Sequence, residues 1–179
     1  SPVVPEQWVA VRLKGRLGSF RELNQKAAFK LDFDRFWPGE NFRGLLEMTL
    51  NNMVQDDSRI HEVLAYDIFD QMNVPAPRTA YVWVKVNGAD YGLYLNLEAS
   101  DKVWRKQHYP STLAMYEGEY GAALFTGKAA DFDLDGGDEA LGLAALEDFI
   151  NRVNAAPTQG FMAALDDIID WDEVLAMMA

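Results

Sequence analysis

Residues 12–33 carry the residue types most able to do chemistry in this chain. They read Arg12-Leu-Lys-Gly-Arg-Leu-Gly-Ser-Phe-Arg21 and then Lys26-Ala-Ala-Phe-Lys-Leu-Asp-Phe33. A segment of alternating character runs into a turn holding Gly15, Gly18 and Ser19, and a second alternating segment follows with Lys26 and Lys30 along it. Glycine N–H groups approach an anion closely because no Cβ stands in the way, and nearby ammonium groups add charge. The pattern predicts a local anion site, although the same turn also suits an ordinary hairpin connection and the same lysines the wet side of a half-buried strand. Residues 1–30 hold six cations (Arg12, Lys14, Arg16, Arg21, Lys26, Lys30) against two acids, whereas residues 130–179 hold Arg152 against twelve acids. The formal net charge of −12 is therefore unevenly spread, and such asymmetry points to a partner.

The bulk composition narrows the classes. At 179 residues, 49% hydrophobic and 25% charged, the chain has enough apolar residues for one good core. A pI near 4.5 sets a repulsive long-range field against nucleic acid and anionic lipid, while leaving short-range capture of a small anion open. The absence of cysteine excludes disulfides, thiolate nucleophiles and Cys-ligated zinc. His61 and His108 are too few for a histidine-rich metal site. No apolar run reaches the roughly 18 residues that span a bilayer. Ser1-Pro-Val-Val-Pro5 reads as a trimmed start, so an export signal removed upstream stays open.

The elements that must position these residues follow from periodicity. Trp8–Arg16 and Lys26–Phe33 alternate as half-buried strands, and Leu45–Leu50 makes a third. Asp56-Asp57-Ser58 predicts the start of a helix running to about Met72, with Ile60, Val63, Leu64, Ile68 and Phe69 on its apolar stripe and Glu62 off the stripe's centre. Thr79–Val86 and Tyr91–Glu98 predict a hairpin around Asn87-Gly88-Ala89-Asp90. A short helix is expected at Asp101–Lys106 and an acidic, glycine-containing loop at Ala130–Glu139. Helices are expected at Leu141–Val153, Phe161–Ile169 and Asp172–Met178. The order predicts an α+β fold, a twisted antiparallel sheet with an inserted helix, followed by an acidic helical segment. Trp8, Tyr81, Trp83, Tyr91 and Tyr94 suit sheet packing.

Four phrases in order resemble the CotH kinase family, the spore coat protein H group of atypical protein kinases. They are Arg12-Leu-Lys-Gly-Arg-Leu-Gly-Ser-Phe, Lys26-Ala-Ala-Phe-Lys-Leu-Asp-Phe, Leu50-Asn-Asn-Met-Val-Gln-Asp-Asp-Ser-Arg-Ile-His-Glu-Val-Leu-Ala-Tyr-Asp-Ile-Phe, and Val86-Asn-Gly-Ala-Asp-Tyr-Gly-Leu-Tyr-Leu-Asn-Leu-Glu98. The likeness spans residues 8 to about 106 and is looser beyond. It implies a protein-kinase-like N-lobe over residues 1–106, and a linker with the first helices of an incomplete C-terminal lobe over 107–179. It also implies ATP, with Mg or Mn, as the bound group, and a coat or surface protein as the phosphorylated partner. A spore coat or exported cell-surface location goes with it. By the same resemblance the Gly15, Gly18 and Ser19 turn covers phosphates, Lys26 steadies them with Lys30 in reserve, and Glu62 fixes Lys26. Glu98 closes the strand that a kinase uses as its hinge. Each acid has a plainer reading too, Glu62 on a solvated helix face and Glu98 at a wet strand end. The family's catalytic aspartates have no equivalent in these 179 residues, so this stretch alone is expected to bind nucleotide and transfer nothing.

Asp131-Phe-Asp-Leu-Asp-Gly136 resembles a calcium loop in its alternating oxygens at Asp131, Asp133 and Asp135. The twelfth position is Gly142, where an EF-hand needs a bidentate acid, so only a looser Ca²⁺ site or a solvated acidic loop remains. A noncatalytic surface, adhesion or coat-assembly module is the alternative function, with the acidic second half as its contact surface.

Overall fold

The computed structural model describes residues 6–179; Ser1–Pro5, the segment read as a trimmed start, lies outside them. The chain divides into two compact units, the first reaching Gln71 and resuming over Pro75–Ala99, the second comprising Met72–Val74 and Ser100–Ala179.

The first unit is a five-stranded antiparallel sheet with one helix. Its strands are β1 (Ala10–Lys14), β2 (Ala28–Asp32), β3 (Glu47–Asn51), β4 (Thr79–Val86) and β5 (Ala89–Glu98), in the spatial order β1-β2-β3-β5-β4. Helix α1 (His61–Gln71) is inserted between β3 and β4. The β4–β5 turn is Asn87-Gly88 with Val86 opposite Ala89. Both turn residues have positive φ, 51° and 81°, the mirror-image geometry that matches strand twist.

Alternation along β5 sends its side chains to two apolar clusters. Tyr94 joins Ala27, Phe29 and Leu50 on one face, with Leu13, Leu31 and Met48 packed against them. Leu95 and Leu97 join Met53 on the other, where Val63 and Tyr66 of α1 cover them. Tyr94 and Leu95 are completely buried, each stabilising the fold by about 1.5–3 kcal/mol relative to exposure.

Two sequence expectations shift here. β1 is an edge strand, so Val11 is exposed instead of facing the core. In α1 Val63 and Tyr66 pack on the sheet, with Glu62 beside them and Phe69 half-buried further along, while Ile60, Leu64 and Ile68 turn outward. The sheet meets only the side of the helix that Val63 and Tyr66 present, and no residue of α1 is fully buried.

The second unit contains α2 (Lys102–His108), a β6–β7 hairpin (Ala114–Gly118 and Phe132–Gly137), α3 (Glu139–Ala155), α4 (Phe161–Ala164) and α5 (Trp171–Met178). Side chains of Asp101, Asp138 and Asp170 cap α2, α3 and α5 by accepting from backbone N–H groups. The expected acidic loop at Ala130–Glu139 is largely strand β7, with Phe132 and Leu134 turned in and Asp133 and Asp135 turned out. Gly137 is there for close approach, since a Cβ would lie 2.1 Å from the Leu113 carbonyl oxygen. Gly142 lets α3 press on β6 for the same reason: its Cβ would come within 2.4 Å of Ala114 Cβ. The helix expected over Phe161–Ile169 stops at Ala164. The fold class is α+β with antiparallel sheets. Among the described residues no helix is long and apolar enough to cross a membrane.

Candidate functional site

A cleft of about 360 Å³ opens in the first unit between the glycine turn, the end of β3 and the first turn of α1. Its walls carry Lys14, Gly15, Ser19, Asn51, Asn52, Arg59 and Glu62. The floor is Ala28, almost wholly buried, and it sits opposite Lys14 in the β1–β2 register. Extending the β2–β3 register by one residue puts Ala28 beside Asn51, so Lys14, Ala28 and Asn51 form one row on the helix-facing side of the sheet. The small central side chain leaves the space.

The turn is built to stay tight. Gly15 has φ +122°, and a Cβ there would sit 2.9 Å from the Phe20 backbone nitrogen and Cα. Ser19 closes it, its N–H donating to the Arg16 carbonyl at 3.1 Å while its Oγ accepts from the Arg16 N–H at 3.2 Å. Gly18 is also left-handed, φ +78°, with Gln55 against it.

Asn52, only 1% exposed, ties this turn to the next segment. Its Nδ2 donates to the Ser19 carbonyl at 3.1 Å and to the Lys26 carbonyl at 2.9 Å. Its own backbone carbonyl accepts from Lys26 Nζ at 2.8 Å. Lys26 has φ +101°, a conformation that costs a non-glycine residue about 1–3 kcal/mol. Two tyrosines hold it there. Tyr91 Oη accepts from the Ala27 N–H at 3.1 Å and donates to the Leu23 carbonyl at 2.6 Å, and Tyr94 Oη donates to the Ala27 carbonyl at 2.6 Å. The Lys26 ammonium lies 5.1 Å from the centre of the Tyr94 ring. Burial, with the Arg59 charge nearby, lowers its pKa from the usual lysine value.

The structure therefore separates residues that the sequence puts together. Lys26 precedes β2 and turns to the Tyr94 side, where the Asn52 carbonyl holds it. Lys30 is inside β2 and pairs with Glu47 of β3 at 2.6 Å. Glu62 faces the cleft, where Asn51 Nδ2 donates to its Oε2 at 2.7 Å. Burial raises the Glu62 pKa, opposed first by the charge of Lys14 and then by the Asn51 bond. The acid is thus brought to Lys14 and Asn51, not to Lys26. Glu98, at the end of β5, takes a two-pronged ion pair from Arg78, with Nε to Oε2 at 2.9 Å and Nη2 to Oε1 at 2.5 Å. That pair fastens the strand end.

Asp56 organises the mouth of the cleft. It accepts from the Ser58 hydroxyl at 2.6 Å and the His61 backbone N–H at 3.0 Å, and His61 Nδ1 lies 2.8 Å from it. The Ser58 bond foremost, with the His61 bonds, holds its carboxyl far below the usual aspartate range despite burial.

Asp131, Asp133 and Asp135 do not converge. Asp131 pairs with Lys128 at 3.5 Å, and strand geometry sets Asp133 and Asp135 about 7 Å apart along β7. Among the described residues no group of three or more His, Asp or Glu stands where it could hold a metal ion.

Sequence reasoning missed Lys14, Asn51 and Asn52 as site residues. Lys14 stood in the basic count of the first thirty residues, and the Asn51-Asn52 pair opens the phrase that leads into α1. Neither signal says which face a residue takes, which only the register supplies.

Comparison with known proteins places the chain. It is 25% identical over 155 residues, 80% of its length, to "Inner spore coat protein H" of Bacillus subtilis (strain 168), covering 42% of that protein. It is 31% identical over 96 residues, 54% of its length, to "Inner spore coat protein H-like protein" of the same organism, covering 27% of that one. The chain thus spans less than half the length of either relative. The family profile described as CotH kinase protein matches residues 11–179, from β1 through α5, and the chain accordingly belongs to the CotH family.

Proposed function

We propose that this chain is the nucleotide-binding portion of a CotH-type protein kinase that transfers the γ-phosphoryl group of ATP to Ser or Thr of a coat or surface protein. In this reading the first unit is a kinase-like N-lobe and works in a spore coat, as the relatives' names suggest. The observation that carries it is the convergence of a glycine turn, a lysine and a helix carboxylate on one cleft. Phosphoryl transfer is mostly positioning and charge stabilisation, and these are the parts that position phosphates. The Gly15–Ser19 backbone covers the phosphate end, Lys26 and Asn52 brace that backbone, and Glu62 sets the cation beside it. The metal ligands and the acceptor base belong to the rest of the family protein.

Calorimetry with ATP tests this. Saturable heat that is lost when Gly15→Val distorts the turn supports it, and silence at millimolar ATP overturns it. The relatives' names also favour a second reading, a noncatalytic coat-assembly module. That reading gains if the chain ignores ATP yet co-assembles with coat protein.

A further inference from the structure

We infer that Lys14 is the phosphate-contacting cation of this cleft and Glu62 its positioning residue, held in turn by Asn51. The inference rests on the nucleotide reading of the cleft and names which side chain meets the anion.

Lys14 is the last residue of β1, immediately before the glycine turn. Leu13 packs into the cluster around Phe29 and Tyr94, so alternation sends Lys14 to the opposite, helix-facing side. There it stands over Ala28, whose methyl group leaves the path toward α1 open. Glu62 comes down from the first turn of α1 on the far side of that gap, fixed by Asn51 at 2.7 Å. Both side chains line the cleft; Lys26 and Lys30 do not. Lys26 donates to the Asn52 carbonyl and lies near the Tyr94 ring, and Lys30 pairs with Glu47, both outside the lining of the cleft. Arg59, the other cation on the cleft wall, enters from the segment before α1, whereas Lys14 adjoins Gly15 in the chain, so an anion seated against Gly15 and Ser19 lies next to Lys14. A carboxylate across a one-alanine gap holds a flexible lysine in one direction and so lowers the entropy lost on binding. Lys26 keeps a different task, bracing the turn through Asn52.

The test uses the full chain and two probes, ATP and inorganic tripolyphosphate, in calorimetry at fixed ionic strength. Lys14→Ala should weaken binding of both about tenfold or more, the scale of a lost charge-assisted contact. Lys85→Ala, a distant exposed lysine on the β4–β5 hairpin, controls for one lost charge and should leave both unchanged. Binding that falls in Lys26→Ala but not in Lys14→Ala overturns the inference while leaving the nucleotide reading intact. Lys14-dependent binding of tripolyphosphate without ATP binding supports the inference and sinks the nucleotide reading. Silence toward both overturns both. A carboxyl ¹³C titration of Glu62 reads the pairing itself, with no ligand present. The midpoint should rise in Lys14→Ala and stay in place in Lys26→Ala, and the reverse pattern overturns the pairing.

Discussion

Single residues in this chain hold positions that their sequence neighbours do not reveal. Asn52 is the clearest case: one buried side chain carries the Ser19 and Lys26 carbonyls, and its main chain carries the Lys26 ammonium. Asn52→Ala leaves those carbonyls without donors and should cost roughly 1–3 kcal/mol in urea denaturation, with the glycine turn loosened first. A loss below about half a kcal/mol would show that the tie is idle. Two acids at the mouth of the cleft make opposite pH statements. The Asp56 carboxyl is depressed below its ordinary 3.8, so the unfolded chain holds that proton more tightly. Its stabilisation is complete above that value and drains away as the pH falls below it. Glu62 is raised above its ordinary 4.5, so its contribution belongs to low pH and fades as the pH climbs from that value toward the folded one. Thermal melts against pH should show a flatter loss below pH 4 in Asp56→Ala than in the unsubstituted chain. Glu62→Gln should gain stability relative to the unsubstituted chain on going from pH 4 to pH 7; curves that run parallel in both variants would refute this account. The Lys26 and Glu62 positions show the limit of reading residues from spacing. Counting along an ideal strand gives Lys26 and Lys30 one face, but a left-handed residue at 26 breaks the count, and nothing in the sequence marks it.

Among the elements, those whose geometry is local were legible and those set by tertiary contact were not. The β4–β5 hairpin was readable because Asn87-Gly88 can adopt the required positive φ and both flanking runs alternate. β7 was also written in the sequence, as Phe132 and Leu134 alternating with aspartates, but the aspartates and the two following glycines read equally well as a calcium loop. The packing of β6 against Gly137 and Gly142 decides between them, and that contact is between segments. The spacing finds α1 at nearly its true length and sets Val63 and Phe69 correctly on the half-buried side, but Ile60, Leu64 and Ile68, which fit the same stripe, turn outward and Tyr66 packs in. The seat of α1 is Met53, just past β3, with Leu93, Leu95 and Leu97 of β5. With no fully buried residue, α1 should open well before the central strands. Hydrogen exchange should find α1 amides exchanging faster than those of β3 and β5, and equal protection would contradict this packing account. Filling the cleft floor works at the same level. Ala28→Leu should weaken nucleotide binding about tenfold or more by closing the gap between Lys14 and Glu62, with β2 itself still paired.

For the molecule as a whole, charge and family membership set the terms. A chain of net charge −12 repels polyanions at a distance, so any anion it holds is captured by short-range donors, and the cleft beside the glycine turn carries Lys14, Asn51, Asn52 and Arg59. The acidic second unit shows no converging carboxylates, and its melting temperature should be unchanged by EDTA; a fall of several degrees would reveal a metal bound in a way these side chains do not display. Membership of the CotH family was legible from phrases in the first hundred residues, whereas the identity of the cleft's cation needed the register of three strands. The most direct measurement is an amide NMR titration of the full chain with ATP. The account predicts saturable shifts concentrated at Gly15–Ser19, Asn51, Asn52 and Glu62, with little change along β7. No shifts at millimolar ATP, or shifts confined to the second unit, would contradict it.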